Sequence, residues 1–210
     1  VKLTLYYAPG ACSLASHIAL EESGLAYEAF RINTAAGEQR SPEYLKINSR
    51  GRVPTLVIDG RTLTENVAIM TFIAGGHPKS GLWPSNTLDQ AEALSVMSWL
   101  ANSVHPAFAH IFRTERYSDD VSTHEAIKNK GRETFWNCLK EIDAMVAGRR
   151  WYFGNRFTVV DGYLLVFYRW GLRIHLDMKS LTHYTALVER VASRPAVKRV
   201  MAEEGIALQP

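Results

Sequence analysis

An Asp59-Gly60 pair separates two short runs, Thr55-Leu56-Val57-Ile58 and Arg61-Thr62-Leu63. Both residues of such a pair accept positive φ, so a tight two-residue β-hairpin is expected at 55–63. Pro54 stands directly before it and lacks a backbone donor, which marks where the strand opens. Upstream, Lys2 to Tyr7 reads as a strand, turned by Pro9-Gly10. From Cys12, Leu14, Ala15, Ile18 and Ala19 follow helical spacing, and Gly24 sits where a helix ends. Tyr27 to Ile32 is a second strand, and Ser41-Pro42-Glu43 is a helix start. Thr64 is placed to cap a helix carrying Val67, Ile69, Met70, Phe72 and Ile73, which Gly75-Gly76 closes. The order is β-α-β-α-β-β-α. A helix between the first two strands implies a parallel crossover, and the hairpin adds an antiparallel pair.

Residues 75–88 concentrate glycine, proline and small polar residues, and a linker is expected at 78–87 between units 1–77 and 88–210. Beyond it, helical periodicity dominates. Leu94, Met97, Leu100, Ala101 and Val104 share one face of a long helix that runs on to His105-Pro106. Ile127, Phe135, Cys138, Leu139, Ile142 and Met145 mark another, with Cys138 as core packing. Thr158-Val159-Val160-Asp161 opens a third through a capping-box variant, and its wholly apolar continuation predicts burial. Arg194-Pro195 divides two terminal helices.

Composition excludes several classes. Apolar residues make up 47% and charged residues 21% of 210, against wholesale disorder. The longest apolar run, Tyr163 to Tyr168, is too short to span a bilayer. A formal charge of +3 over this length does not suggest nucleic acid. Cys12 and Cys138 form neither a disulfide framework nor a C-x-x-C pair, and the chain is expected to be cytoplasmic with reduced thiols. The seven histidines include no H-E-x-x-H, and no metal site is expected.

Cys12 follows a strand and turn at a predicted helix N-terminus, where free amides favour a thiolate. A buried apolar packing role fits the position equally. Were the Val53-Pro54 bond cis, the Val53 backbone would be free to pair with an extended peptide. Thr64-Glu65-Asn66 caps a helix or, with its amides, receives a carboxylate, Glu65 then taking an ammonium group. His105 is a polar contact or an ordinary structural histidine.

Taken in order, the blocks Tyr6-Tyr7-Ala8-Pro9-Gly10-Ala11-Cys12-Ser13, Gly51-Arg52-Val53-Pro54, Leu63-Thr64-Glu65-Asn66, Trp99 to His105 and Phe157 to Leu164 resemble the glutathione S-transferase family, most closely its bacterial beta class. The resemblance implies a thioredoxin-like α/β N-terminal domain, an all-α C-terminal domain, a homodimer, a cis Pro54, and a detoxifying transferase with glutathione as co-substrate. It places Cys12 beside the glutathione sulfur, Val53 and Pro54 at the cysteinyl group, and Glu65 and Asn66 at the γ-glutamyl end. His105 falls near the thiol, Tyr7 close by, and Ser98 where an asparagine often reaches the partner subunit's glutathione. Phe108, Phe112 and Trp170 are expected to line the pocket of a hydrophobic electrophile. Cys12 also fits thiol–disulfide exchange or peroxidase chemistry, and the same fold serves non-catalytic binding and regulatory proteins.

The chain departs from the family pattern at four places. Asn66 replaces a serine or glycine, Thr34 to Gly37 lacks a lysine that often meets the glycyl carboxylate, Pro106 follows His105, and Ser98 is shorter than asparagine. Arg40 is the candidate substitute for the lysine.

Overall fold

Asp59 and Gly60 both take positive φ, 48° and 83°, and close a hairpin between β3 (Thr55–Ile58) and β4 (Arg61–Thr64) in a computed structural model that describes residues 1–209. Ile58 lies opposite Arg61 and Thr55 opposite Thr64. β1 (Leu3–Tyr7) joins β3 antiparallel, with Leu5 opposite Leu56, and β2 (Glu28–Arg31) parallel, with Thr4 opposite Glu28. The sheet order is β2-β1-β3-β4. Helix α1 (Ser13–Ser23) makes the crossover and ends at Gly24, whose φ is 72°. The chain thus alternates helix and strand as its sequence predicts.

Two further helices complete this part. In α2 (Pro42–Ile47), the Ser41 hydroxyl accepts the Tyr44 N–H at 3.2 Å. Helix α3 (Asn66–Gly76) starts one residue later than Thr64 would place it. Thr64 remains paired in β4, and Glu65 takes the cap position with φ 72° and no side-chain cap bond. Ladder pairing opposite Thr55 holds Thr64 extended, so it is not free to cap.

The remainder is helical: α4 (Thr87–Trp99), α5 (His105–Phe112), α6 (His124–Met145), α7 (Val159–Arg173), α8 (Thr182–Ser193) and α9 (Pro195–Glu204). The long helix expected through His105 is interrupted by a π-helical turn, Leu100–Val104. Pro106 has no N–H for the regular ladder, and a widened turn before it absorbs the mismatch. Met97, Leu100 and Val104 are fully buried, but Leu94 is 39% exposed and lies off that stripe. Gly131 of α6 lets α5 come close: a Cβ there would stand 2.6 Å from His110 Cβ and 2.9 Å from the Ala107 carbonyl.

Helix α7 is buried from Val159 through Gly171 and packs against α1, α4, α6 and α8. At its start, Asp161 accepts the Tyr152 N–H at 2.7 Å, the Thr158 N–H at 2.8 Å and the Thr158 hydroxyl at 3.1 Å. The capping box read in the sequence is therefore present, extended to a strand-like turn nine residues back. Arg194 grips Glu22 of α1 through two bonds of 2.5 and 2.7 Å, and Arg199 reaches Glu21 at 2.6 Å. A two-pronged guanidinium–carboxylate contact fixes orientation as well as distance, so α9 is held in place along α1. Cys138 is half-buried against the core, in keeping with a packing role.

Candidate functional site

The Pro9-Gly10 turn lifts Cys12 out of β1 and is held from the far end of the chain. Gly10 donates its N–H to the Glu204 carboxylate at 2.8 Å, and its carbonyl accepts the Trp170 indole N–H at 3.0 Å. Glycine suits this point because its φ is 65°, where a side chain is strained, and a Cβ would press on the Arg169 guanidinium at 3.0 Å. The other Glu204 oxygen is 2.9 Å from Nδ1 of the buried His17. Ser13 closes the turn beneath, exchanging hydrogen bonds with Ala8 N–H and C=O at 3.1 and 3.2 Å.

Cys12 is the cap residue of α1, and its thiol donates to the Val53 carbonyl at 3.5 Å. The Val53-Pro54 bond is cis. Burial pushes the thiol up to about 11, outweighing the opposing hydrogen bonds from its own N–H, the Ser13 N–H and Asn66. Of the two readings of this position, burial favours the neutral thiol, because desolvation exceeds the pull of the helix amides. At pH 7 a group titrating near 11 is ionised to only about one part in 10⁴. Alkylation of Cys12 by iodoacetamide, followed by peptide mass mapping, is expected to accelerate about tenfold per pH unit from 7 to 10. A rate already level at pH 7 would show a stabilised thiolate instead.

A cavity of about 400 Å³ opens beside this thiol. Cys12 and Val53 form one wall, and His105, Phe108, Phe112 and Trp170 form the other. The Phe108 and Trp170 rings stack with centroids 4.4 Å apart, and His105 meets Trp170 edge-on at 4.9 Å. His105 is pushed down to about 4, first by burial and then by the positive Arg116 and Arg52, so it stays neutral near pH 7. Residues expected at the thiol and in the aromatic pocket therefore come together from opposite ends of the chain.

Other candidates sit elsewhere. Tyr7 is 5% exposed, on the buried side of β1, with its ring 4.8 Å from His17; it does not line the cavity. Strand alternation sends Leu3, Leu5 and Tyr7 to one face, which removes Tyr7 from the thiol's surroundings. Asn66 is buried and fully engaged: its carbonyl oxygen accepts the Ser16 hydroxyl at 2.6 Å, and its amide donates to the Cys12 carbonyl at 2.9 Å. It ties α3 to the Cys12 turn rather than presenting a side chain to a ligand. Glu65 is exposed and 3.2 Å from Arg50 Nη1. Ser98 is half-buried on α4, and Pro54 is buried; neither borders the cavity.

Sequence reasoning missed several cavity residues. Arg52, Arg113, Arg116 and Arg173 line it, as does Gln39, whose buried side-chain oxygen has no partner. A signal for two of them existed: the spacing 105, 108, 109, 112, 113, 116 continues one helical face past the end of α5. Arg40 borders a smaller adjoining hollow of about 270 Å³, together with Thr34, Ala35, Arg113 and Arg116. A larger hollow of about 650 Å³, around Glu22, Trp151, Arg156 and Arg194, contains neither a thiol nor an imidazole.

Residues 1–75 match the family profile described as glutathione S-transferase, N-terminal domain. The chain is 32% identical to glutathione S-transferase GstA of Escherichia coli, over 97% of this chain and 100% of that one. Among solved structures, a glutathione transferase homologue from Sulfitobacter with bound glutathione superposes with a TM-score of 0.93 at 33% identity, covering 99% of this chain and 100% of its own. A bacterial beta class glutathione S-transferase from Sphingomonas chungbukensis gives 0.85 at 34% identity, covering 97% and 100%. With matches of this extent carried over the whole fold, the chain belongs to the glutathione S-transferase family.

Proposed function

We propose that this glutathione transferase binds reduced glutathione along the Cys12–Val53 wall and transfers its sulfur to an electrophile held against Phe108, Phe112 and Trp170. The observation that carries this is a cavity in which a thiol, the Val53 backbone beside β3 and an aromatic wall meet. The orphaned Gln39 oxygen supports it, being an unfilled acceptor suited to a ligand N–H. Glu65 is the partner for the γ-glutamyl ammonium and the start of α3 for its carboxylate, here through backbone amides, since the Asn66 side chain is engaged. Arg40 and Arg52 are the cations for the glycyl carboxylate in place of the missing lysine.

In this reading Cys12 acts as a hydrogen-bond donor. Displacement of its S–H from the Val53 carbonyl by the bound peptide lets it donate to the glutathione sulfur and stabilise the thiolate. The thiolate attacks an electrophilic carbon; a leaving group departs with its bonding electron pair, and the thiol proton passes to solvent. Neutral His105 contributes a hydrogen bond, not a charge. Thiol–disulfide exchange is the second reading, favoured by the position of the Cys12 sulfur on the cavity wall. Assembly as a homodimer is part of the proposal, and Leu88 and Leu94, exposed on α4, support it as apolar surface awaiting a partner. No helix among the described residues is long and apolar enough to cross a membrane, and a reducing cytoplasm is the proposed location.

Calorimetric titration with reduced glutathione tests the reading. Saturable binding near one site per subunit, with Kd between micromolar and millimolar, is expected. Absence of binding to folded, reduced protein would favour a non-catalytic binding or regulatory protein.

A further inference from the structure

The cavity has an uneven electrical character. Arg52, Arg113, Arg116 and Arg173 line it, and no carboxylate does. Among the described residues none of these four guanidinium groups has a salt-bridge partner, a condition they share with most of the chain's arginines, since only Arg50, Arg194 and Arg199 are paired there. Two of the four, Arg116 and Arg52, already act on the wall, since they help keep His105 unprotonated. Their placement is divided. Arg52 adjoins Val53 on the thiol side, whereas the Arg173 guanidinium lies 5.1 Å from the centre of the Phe112 ring, at the aromatic end. A guanidinium stacked on an aromatic face keeps its charge and its donors for a further ligand. Glutathione, lying along the Val53 side, requires only the nearer cations. Arg113 and Arg116 also border the adjoining hollow with Arg40 and Glu115, so Arg173 is the cation that stands apart at the aromatic end.

Resting on the transferase reading above, we propose that the electrophile this cavity selects is a planar aromatic compound bearing an anionic group. Its ring lies against Phe108, Phe112 and Trp170, and its carboxylate or equivalent anion meets Arg173, with Arg113 and Arg116 alongside. The arginines are exposed at the rim, so each contributes modestly and the set acts through its summed field. Such a field falls off with added salt, while ring packing does not.

The test uses a matched pair without a leaving group, 3,5-dinitrobenzoate and neutral 1,3-dinitrobenzene, titrated calorimetrically into the full-length protein with and without reduced glutathione. The benzoate is expected to bind about tenfold more tightly at low ionic strength, with most of that preference lost in 0.5 M NaCl. Arg173→Gln is expected to cut the preference about threefold and Arg173→Lys to retain most of it. The triple change Arg113→Gln, Arg116→Gln, Arg173→Gln is expected to abolish it, with thermal melting confirming that each variant is folded. Equal or weaker binding of the benzoate, or a preference that survives the triple change, overturns the proposal. Glutathione binding without benzoate preference leaves the transferase reading standing alone; benzoate preference without glutathione binding removes that reading and keeps the anionic site.

Discussion

Asp161→Ala is expected to lower the unfolding free energy by about 3–5 kcal/mol, read from the urea midpoint at unchanged slope. The reasoning starts from the donors left behind. The carboxylate accepts two backbone N–H groups, those of Tyr152 and Thr158, at 2.7 and 2.8 Å. Both residues are buried, at 4% and 0% exposure, so water does not replace the lost acceptor. An unsatisfied buried donor costs about 1–3 kcal/mol, and there are two. The loss is a large part of the 5–15 kcal/mol that typically holds a domain together. Asp161→Asn keeps one acceptor oxygen, and about half the loss is expected. A change below about 1 kcal/mol for the alanine variant would mean that the start of α7 relaxes and finds other partners. Because α7 carries Trp170, which holds the Gly10 carbonyl, a weakened start is also expected to loosen the Cys12 turn.

Cys12→Ala is expected to separate two chemistries. Glutathione-dependent reduction of a small disulfide should fall about a hundredfold or more, because the attacking sulfur itself is removed. Conjugation of 1-chloro-2,4-dinitrobenzene should fall only about tenfold, because there the nucleophile belongs to glutathione and Cys12 supplies a single hydrogen bond to its thiolate. Cys12→Ser, which keeps a donor, should recover most of the conjugation and none of the exchange. Equal loss of both activities in a folded alanine variant would show that every turnover passes through Cys12 sulfur. The high titration point of the free thiol sets the pH dependence of exchange. A group raised to about 11 is a better nucleophile at higher pH, so exchange should climb from pH 7 toward 10 without the early plateau of a low-pKa thiolate.

Local chemistry made much of the architecture legible. The Asp59-Gly60 turn, the Gly24 stop, the Ser41-Pro42 start and the Thr158–Asp161 box each act within a few residues, and each occurs where the residues demand it. The apolar sweep from Val159 to Gly171 required burial, and the fold buries it. Local preference gives way where a longer-range constraint opposes it. Thr64 is a good cap, but ladder pairing holds it extended. Helical periodicity ran on through Val104, but one missing donor at Pro106 opened a π-helical turn.

For the site, the sequence by itself determined which reactive groups exist and which local frames carry them: Cys12 after a Pro-Gly turn, Val53 before Pro54, His105 leading an aromatic helical face. Tertiary structure alone decided their surroundings. Enclosure, not helix position, sets the Cys12 thiol, because desolvation depends on atoms from every element packed around it. Tyr7 lost its place because strand alternation turned it to the core, and the Asn66 side chain because Ser16 and the Cys12 carbonyl engage it. Arg52 and Arg173 stand 121 positions apart (173 − 52) and share one cavity only after α5 and α7 dock beside the sheet. Charge convergence of that kind is a property of packed surfaces, and no spacing along the chain encodes it.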